Sequence, residues 1–438
     1  MSDREVSGPT IGLVDNTCNN AYVTVKLLRR AGHDAHLVEE PTMPFNQQPV
    51  WEDADIVGPA AEVAMRPRDD AYWRGVEREV GWRKPDWIQR PRLDPVRDLP
   101  TAMRIARTAA SAVPVALAPF AIAAMLPATP VVRALSRFDV LLPLGSAAAP
   151  AYLSGRPYSV IAMGWDVNTL PFMTEAADPV HRARGWLQRR ALGSAMHVLG
   201  MPAVDRPHLE RIGLAHLLQP FPHLCDVDGY AEVPGATREE IFGPQLARRM
   251  EGKVVYLCAS RIHYGLKGTD LLLRAFAEVL RADERPFLVM LGWGSDLGRA
   301  TALATELLSD RSFAMLPLVM SKRRLVRTFR AIDVALDQFV VPAYGMLARE
   351  ALACGLPLVS SYDPEAPQPH PPDDPAPVLP ARTVPAIRDA ILRLLDPDLR
   401  ARLGREGMAW ARRNHQEAPI TALATLITQI AERGRRAA

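Results

Sequence analysis

The C-terminal half of the chain is organised around residues 337–361, DQFVVPAYGMLAREALACGLPLVSS. A strand is predicted to enter this stretch over 332–337, and a turn at 343–345 leads to a short helix over 346–353. Gly355 ends that helix, and a second strand is predicted over 356–360. In such a unit the first turn of the helix presents unpaired backbone N–H groups at the carboxyl edge of a sheet. The stretch therefore predicts an anion site.

Glu350 is an unusual residue for this helix. It lies between Leu347 and Leu352 in a largely apolar segment, where a carboxylate is costly to bury unless it has a partner. One interpretation is a carboxylate that binds a ligand, and the other is a structural ion pair with a nearby arginine. The residues upstream bear on that choice.

Strands and helices alternate on both sides of residues 337–361, and this pattern predicts an α/β protein with doubly wound parallel sheets. In the C-terminal half we predict strands over 253–259, 287–291 and 313–318, and helices over 269–281, 300–308, 322–331, 384–395 and 399–433. In the N-terminal half we predict a helix over 21–31 and strands over 10–14, 34–38, 138–144, 158–163 and 195–200.

This pattern divides the chain into two domains. We predict an N-terminal Rossmann-like domain over 1–218 and a C-terminal Rossmann-like domain over 251–410, followed by a terminal helix over 411–438. Residues 219–250 are predicted to be a linker because they begin with many turn-forming residues and no periodicity. Residues 41–135 interrupt the alternation and are predicted to be an irregular or helical insertion.

The composition excludes several classes of protein. A chain of 438 residues is too long for one ordinary core, and 48% hydrophobic with 23% charged residues is typical of a globular protein. The net charge is only +3, and the sequence contains no lysine-rich run, so nucleic acid is not an expected partner. The four cysteines are scattered without a CxxC pair, which predicts neither a disulfide framework nor a zinc site. The polar start, MSDREVSGPT, favours a cytoplasmic location over secretion.

Residues 109–132 raise the question of a membrane. They contain no charged residue and are long enough to span a bilayer. Four prolines interrupt them, which argues against a spanning helix: Pro114, Pro119, Pro127 and Pro130. We predict a buried helical hairpin or an apolar lid near an acceptor site, with membrane contact at most peripheral.

Two polar positions in the N-terminal half follow predicted strands. Asn19 and Asn20 begin the first helix, where the structural interpretation is N-capping. Asp166, in the sequence Gly164-Trp165-Asp166-Val167, follows the strand over 158–163 at the sheet edge where open α/β sheets place ligands. A structural alternative for Asp166 is that it caps the next segment.

The loop SRIHYGLKG, residues 260–268, carries Arg261 and Lys267 at the carboxyl end of the first strand of the second domain. An arginine offers a planar fork to phosphate oxygens and a lysine a compact charge, so the pair could neutralise a diphosphate without a metal. The structural alternative is two solvated loop cations. After the next strand, Gly292-Trp293-Gly294-Ser295 provides backbone that can approach a flat base, although this motif alone is not specific.

In their order and spacing, these segments resemble the donor domain of retaining glycosyltransferases with the GT-B fold, specifically family 4. The resemblance covers residues 253–433 well, and the N-terminal half more loosely. It implies two Rossmann-like domains that face a central cleft. It also implies that the terminal helices cross back onto the N-terminal domain.

The resemblance assigns roles to individual residues. Arg261 and Lys267 stand where the family grips the diphosphate of the donor, and Glu350 stands where the second glutamate of the E-x7-E motif takes the ribose hydroxyls. The donor site would also include the backbone of residues 344–346, Tyr344-Gly345-Met346, and of Gly294.

The sequence departs from the family pattern at the sugar end of this site. Pro342 replaces the first glutamate of the motif, so Asp337 and Gln338 become the candidate sugar contacts. A family histidine after the strand over 138–144 is also missing. Asp166 and Asn20 are therefore the candidate catalytic groups of the N-terminal domain.

The implied reaction is sugar transfer from a nucleotide-diphosphate sugar to an acceptor hydroxyl with retention of anomeric configuration. It needs no cofactor beyond the nucleotide-sugar co-substrate, and no metal. The implied partners are this donor and an acceptor, either a small molecule or a glycan, that the sequence does not identify. The alternatives are a nucleotide-sugar epimerase on the same fold, and a sugar-nucleotide-binding subunit without full transferase activity.

Overall fold

The computed structural model describes residues 8–40, 42–59, 67–343 and 345–437. Each half of the chain forms a parallel sheet flanked by helices. The strands of the N-terminal half are β1 (Ile11–Val14), β2 (Ala35–Val38), β3 (Thr42–Met43), β4 (Val57–Pro59), β5 (Arg68–Asp69), β6 (Ile88–Gln89), β7 (Val140–Pro143), β8 (Val160–Ile161), β9 (Val198–Gly200) and β10 (Leu218–Pro220). Those of the C-terminal half are β11 (Val254–Cys258), β12 (Pro286–Leu291), β13 (Phe313–Leu316), β14 (Leu318–Met320), β15 (Val334–Leu336), β16 (Leu358–Ser360) and β17 (Leu379–Pro380).

The N-terminal sheet has the order β6-β2-β1-β7 and continues to β8-β9-β10 through the parallel bridges Leu141–Tyr158 and Leu144–Ile161. The C-terminal sheet has the order β13-β12-β11-β15-β16-β17. The central strands β1 and β12 are buried along their whole length, as apolar runs covered on both faces by helices should be. The predicted doubly wound α/β sheets are confirmed.

The helices cover both faces of the sheets. In the N-terminal half they are Asn20–Arg30, Pro49–Asp53, Asp70–Glu79, Pro95–Ala112, Ala118–Met125, Thr129–Leu135, Ala148–Ser154, Trp165–Asn168, Pro179–Ser194 and Pro202–Arg211. From the linker onward they are Val227–Ala231, Arg238–Phe242, Pro244–Arg249, Tyr264–Lys267, Thr269–Ala282, Leu297–Leu307, Lys322–Phe329, Met346–Ala353, Val384–Arg393, Pro397–Arg412 and Ala418–Ala437.

One predicted strand, over 313–318, is wrong in its extent. The sheet strand β13 stops at Leu316, and the chain continues after Pro317 as the separate strand β14. Proline has no N–H group with which to continue a ladder, which explains the break at this position. Strand β14 pairs antiparallel with β4 of the N-terminal half, so the two domains share a small sheet.

Segment 43–59 packs on the C-terminal domain. This segment lies in the insertion predicted over residues 41–135. Trp51 donates its indole N–H to the Met320 carbonyl at 3.2 Å. The Ser321 hydroxyl donates to the Ala54 carbonyl at 2.7 Å, and Arg327 pairs with Asp55. These contacts fix the relative position of the two domains at one end of the cleft.

Later residues of the same insertion form helices, and the hairpin predicted over 109–132 is partly buried. Ala109, Leu117, Ala121 and Val132 contribute to one hydrophobic cluster with Ile105. The helical run Val115–Leu135 is long and apolar enough to cross a membrane, and only 33% of its most apolar part is buried in the protein.

The C-terminal helix Ala418–Ala437 packs in the core of the N-terminal domain. Leu423, Ile427 and Ile430 lie in the same buried cluster as Leu13 of β1 and Leu28 of the first helix. Because this helix follows the C-terminal domain in the chain, its packing is a second connection between the two domains, in addition to the contacts of segment 43–59.

Candidate functional site

The site predicted at the carboxyl edge of the C-terminal sheet is built around Lys267. This residue ends the helical turn Tyr264–Lys267, and its Nζ donates to the Gln338 side-chain oxygen at 2.6 Å. It also lies 3.8 Å from the Asp337 carboxylate. Both partners follow β15, the neighbour of the strand β11 from which the lysine loop departs. The structure thus brings together one predicted diphosphate-binding residue and the two candidate sugar contacts.

Gly345 closes this cluster from the other side. Its backbone N–H donates to Asp337 Oδ2 at 2.8 Å, and it precedes the helix Met346–Ala353. A Cβ atom at this position would lie 2.7 Å from the Asp337 carboxylate and 3.2 Å from the Lys267 nitrogen. Any larger residue would therefore fill the space at the helix N-terminus, where first-turn N–H groups can meet an anion. Tyr344, which the sequence placed in the same backbone segment, lies outside the described residues.

Arg261 and Gly294 meet at the neighbouring loop. Gly294 has a φ angle of +128°, and a Cβ atom there would lie 2.6 Å from the Ile262 nitrogen and closer still to its oxygen. The same Cβ would come within 2.9 Å of the Arg261 Cγ atom. Arg261 itself is exposed. The glycine therefore allows the loops after β11 and β12 to approach, and this contact positions the arginine.

Replacing Gly294 with alanine is expected to destabilise the fold by about 1–3 kcal/mol and to weaken nucleotide binding, because the loop that carries Arg261 must move. Urea unfolding and calorimetry with nucleoside diphosphates would measure both effects. Gly298→Ala is the matched control, since a Cβ atom added at Gly298 would have open space within 4 Å. Equal stability and affinity for the two variants would contradict this description of Gly294.

Glu350 is buried and pairs with a lysine. It forms an ion pair with Lys322, the first residue of the preceding helix Lys322–Phe329, and only 2% of its surface is exposed. Burial alone would lower the pKa of Lys322, but the negative charges of Glu350 and Glu52 raise it. The structural interpretation of Glu350 is thus realised with a lysine in place of the expected arginine. Its other carboxylate oxygen is buried without a hydrogen bond among the described residues, and ribose binding stays a prediction.

Asn20 connects the two domains at the cleft. Its side-chain oxygen accepts from Arg349 of the C-terminal domain at 2.6 Å, and its amide lies 3.5 Å from the Met346 sulfur. Asn20 follows the carboxyl end of β1, so the carboxyl edges of the two sheets face each other here. Its predicted catalytic role is not tested by this contact.

The predicted N-capping by Asn19 and Asn20 is wrong. Neither side chain caps the first helix, since Asn19 has a φ angle of +60° and Asn20 is already helical. Asn16 caps it instead, because its side-chain oxygen accepts from the Tyr22 N–H at 2.8 Å. Asparagine and aspartate tolerate positive φ, so the run DNTCNN could have indicated left-handed backbone here. Asp15 and Cys18 also have positive φ angles.

Asp166 lies at the turn after β8. One carboxylate oxygen accepts from the Met163 N–H at 2.8 Å, and the other is buried without a partner among the described residues. Burial, together with the nearby negative charge of Asp205, raises the pKa of Asp166 to about 7. The predicted capping of the next segment is wrong, because Asp166 lies within the short helix Trp165–Asn168 and accepts from the residue before the turn. A catalytic role for Asp166 stays a prediction.

The raised pKa of Asp166 predicts a dependence of stability on pH. The folded protein keeps this proton up to about pH 7, whereas the unfolded chain loses it near the ordinary aspartate pKa of 3.8. The associated stabilisation is complete below the unfolded pKa and is lost as pH rises through the folded one. From pH 5 to pH 8, the free energy of unfolding of the wild type is expected to fall by about 1–3 kcal/mol relative to that of Asp166→Asn. Urea unfolding of both proteins at the two pH values measures the difference, and parallel pH profiles would contradict it.

Several charged residues with shifted pKa values were not identified from the sequence. Glu40, after β2, has its pKa raised to about 7 by burial and by the charge of Asp15. Glu52 accepts from the Tyr230 hydroxyl at 3.0 Å, and burial raises its pKa to about 7 as well. Glu40 could have been identified, because it follows a predicted strand. Glu52 and Lys322 could not have been identified, because their partners are distant in sequence.

Residues 241–410 match the family model described as "Glycosyl transferases group 1". Among curated proteins, the D-inositol 3-phosphate glycosyltransferase of Segniliparus rotundus is 34% identical over 100 residues, which is 22% of this chain and 22% of that protein. The match thus spans about a fifth of the length of this relative.

Solved structures extend the likeness to nearly the whole chain. HepE of Anabaena, in complex with UDP-glucose, is 13% identical over 98% of this chain and 100% of its own, with a TM-score of 0.56. A UDP-forming α,α-trehalose-phosphate synthase from Burkholderia xenovorans is 13% identical over 97% and 99%, with a TM-score of 0.62. At this level of identity the likeness shows the fold. The chain therefore has the GT-B fold, and its residues 241–410 carry a Glycosyl transferases group 1 domain.

Proposed function

We propose that the protein is a glycosyltransferase that moves a sugar from a nucleotide-diphosphate sugar to an acceptor hydroxyl, with retention of configuration and without a metal. The observation that carries this proposal is the convergence of Lys267, Asp337, Gln338 and the Gly345 backbone at the start of the helix Met346–Ala353. The matching family model over residues 241–410 supports the same reaction class.

In this proposal the C-terminal domain binds the donor. Lys267 and Arg261 neutralise the diphosphate, and the N-terminus of the helix Met346–Ala353 adds backbone donors. These groups stabilise the negative charge that grows on the leaving phosphate as the glycosidic bond breaks. Asp337 and Gln338 are the polar groups next to Lys267, and in this proposal they bind sugar hydroxyls where the family pattern has a glutamate and this chain has Pro342.

The acceptor would enter from the N-terminal domain. Its hydroxyl attacks the anomeric carbon from the face that the phosphate leaves, and the departing phosphate takes its proton, so no protein nucleophile is needed. The hydrogen bond from Arg349 to the Asn20 side chain, at 2.6 Å, connects the two domains at this point. A closed cleft excludes water, whose attack on the donor is the competing reaction. A cytoplasmic location stays a prediction from the sequence.

A turnover assay with a panel of UDP-, GDP- and dTDP-sugars tests the proposal. Release of nucleoside diphosphate that requires both one donor and an acceptor, and that persists in EDTA, is the expected result. Release without an acceptor would indicate hydrolysis, and interconversion of the donor sugar would indicate an epimerase. Activity that disappears in EDTA and returns with Mg²⁺ would contradict metal independence.

A second candidate is a GT-B protein that binds a sugar nucleotide without full transferase activity. One observation favours it: Pro342 cannot supply the carboxylate that the family places beside the sugar. Saturable nucleotide binding with no turnover on any donor and acceptor pair would support this candidate.

A further inference from the structure

The helix Pro95–Ala112 has two apolar faces. One is its buried face, which includes Ile105 and Ala109. On the opposite side, the side chains of Val96, Leu99 and Met103 are 83%, 60% and 59% exposed. With 3.6 residues per turn, positions 96, 99 and 103 form a single stripe, which lies about half a turn away from the buried positions. An outward apolar stripe is not required by the core of this domain.

The apolar surface extends beyond this helix. Residues 108–132 contain no charged residue, and Val115 is 89% exposed. Leu126 is 39% exposed and lines one cavity of about 380 Å³ together with Leu93, which is 73% exposed. The exposed residues Leu93, Val96, Leu99 and Met103, on this helix and just before it, are called the apolar face below. Clustered exposure of large apolar residues marks an interaction surface.

Arginines line the neighbouring groove. This groove has a volume of about 570 Å³, and five arginines but one carboxylate, that of Asp94, lie along it. Arg90 and Arg133 are neutralised by buried glutamate and aspartate partners. Arg92 and Arg97 remain 73% and 74% exposed, and their nearest carboxylates are 3.9 and 3.5 Å away. Four of the five arginines thus have a carboxylate within 3.9 Å. The exposed Arg137 has no ion pair among the described residues, so the positive charge beside Leu93 comes from Arg137 and from the exposed, loosely paired Arg92 and Arg97.

We propose that the apolar face and its arginine groove dock on an anionic lipid bilayer. A helix that lies flat on a membrane inserts its apolar side chains at the boundary between headgroups and acyl chains, while arginines reach the phosphates. A second copy of the chain suits this surface less well. A symmetric dimer would bring the arginines of both copies together, and this repulsion would oppose association.

Docking at this surface also orients the cleft. The cavity that Leu93 and Leu126 line reaches Glu39 and Glu40, which follow the carboxyl end of β2. One end of the cavity therefore lies at the apolar face, and the other lies at the edge of the N-terminal sheet. A membrane beneath the apolar face would cover the outer end of this cavity.

Vesicle co-sedimentation tests the proposal without reference to any activity. The full chain is expected to sediment with vesicles of phosphatidylcholine and phosphatidylglycerol at 50 mM salt, and to bind at least tenfold more weakly to pure phosphatidylcholine or at 500 mM salt. The triple variant Val96→Asp, Leu99→Asp, Met103→Asp is expected to lose at least tenfold in affinity. Arg92→Glu with Arg97→Glu is expected to lose the preference for anionic vesicles.

Met408→Asp is the matched control, because Met408 is 39% exposed on a helix of the other domain. It is expected to bind vesicles as the wild type does, and circular dichroism would verify that all variants are folded. Two results would overturn the proposal: no binding of the wild type to anionic vesicles at low salt, or equal binding by the wild type and the triple variant. A dimer in ultracentrifugation that the triple variant abolishes, without vesicle binding, would assign the face to a second copy.

Discussion

Replacing Lys267 with alanine is expected to lower kcat/KM for nucleotide-sugar turnover by about 10²–10³-fold while leaving the fold intact. Lys267 is placed to hold the leaving diphosphate, since its Nζ lies at the start of the helix Met346–Ala353 beside Gln338. Its partners Asp337 and Gln338 are buried, but Asp337 also accepts from the Gly345 N–H, so the loss of the amine is expected to cost about 1–3 kcal/mol of stability without unfolding the protein. Release of nucleoside diphosphate and a thermal unfolding curve measure the two effects.

Lys253→Ala provides the matched control. Lys253 precedes β11, whereas Lys267 follows it, so the two lysines lie at opposite edges of the same sheet. The control variant is expected to turn over as the wild type does. Turnover by Lys267→Ala within a factor of about three of this control would remove Lys267 from the proposed diphosphate site.

Replacing Glu350 with alanine is expected to reduce the free energy of unfolding by about 3–5 kcal/mol. The change leaves the ammonium group of Lys322 buried without its carboxylate, and a buried unpaired charge is strongly unfavourable. Urea unfolding of the wild type and the variant measures this loss. A loss below about 1 kcal/mol would show that the ion pair is solvated, contrary to its burial in the structure.

A double variant separates this structural role from the predicted role in donor binding. Glu350→Leu combined with Lys322→Met removes both charges and is expected to recover most of the lost stability. If Glu350 binds the ribose, the double variant still binds nucleotide about 1–3 kcal/mol more weakly than the wild type by calorimetry. Unchanged affinity in the stable double variant would leave Glu350 with its structural role alone.

The fold could be predicted because its signals are local. Strands such as β1 and β12 are continuous apolar runs between turn-forming residues, and this pattern is typical of a buried parallel sheet. The helix Met346–Ala353 has the bounds that were expected, because Gly345 and Gly355 mark its two ends. The insertion was harder to predict, because strand β4 forms by pairing with β14, which lies more than 250 residues away in the sequence.

The candidate site could be predicted in part for the same reason. Lys267, Asp337 and Gly345 follow neighbouring strands, so sheet topology alone brings them to one edge. The partner of Glu350 was missed because Lys322 begins a different helix, and no spacing rule connects the two residues. The bond between Asn20 and Arg349 depends on how the two domains pack, which the order of secondary structure does not specify.

In the proposed donor site, the C-terminal domain binds a nucleoside diphosphate through the loop of Arg261 and Lys267. Isothermal titration calorimetry with UDP, GDP and dTDP measures this binding for the wild type and for the double variant Arg261→Ala, Lys267→Ala. We expect saturable binding of at least one of these nucleotides by the wild type and a loss of affinity of at least tenfold in the double variant. Binding of none of them, or equal affinity in both proteins, would contradict it.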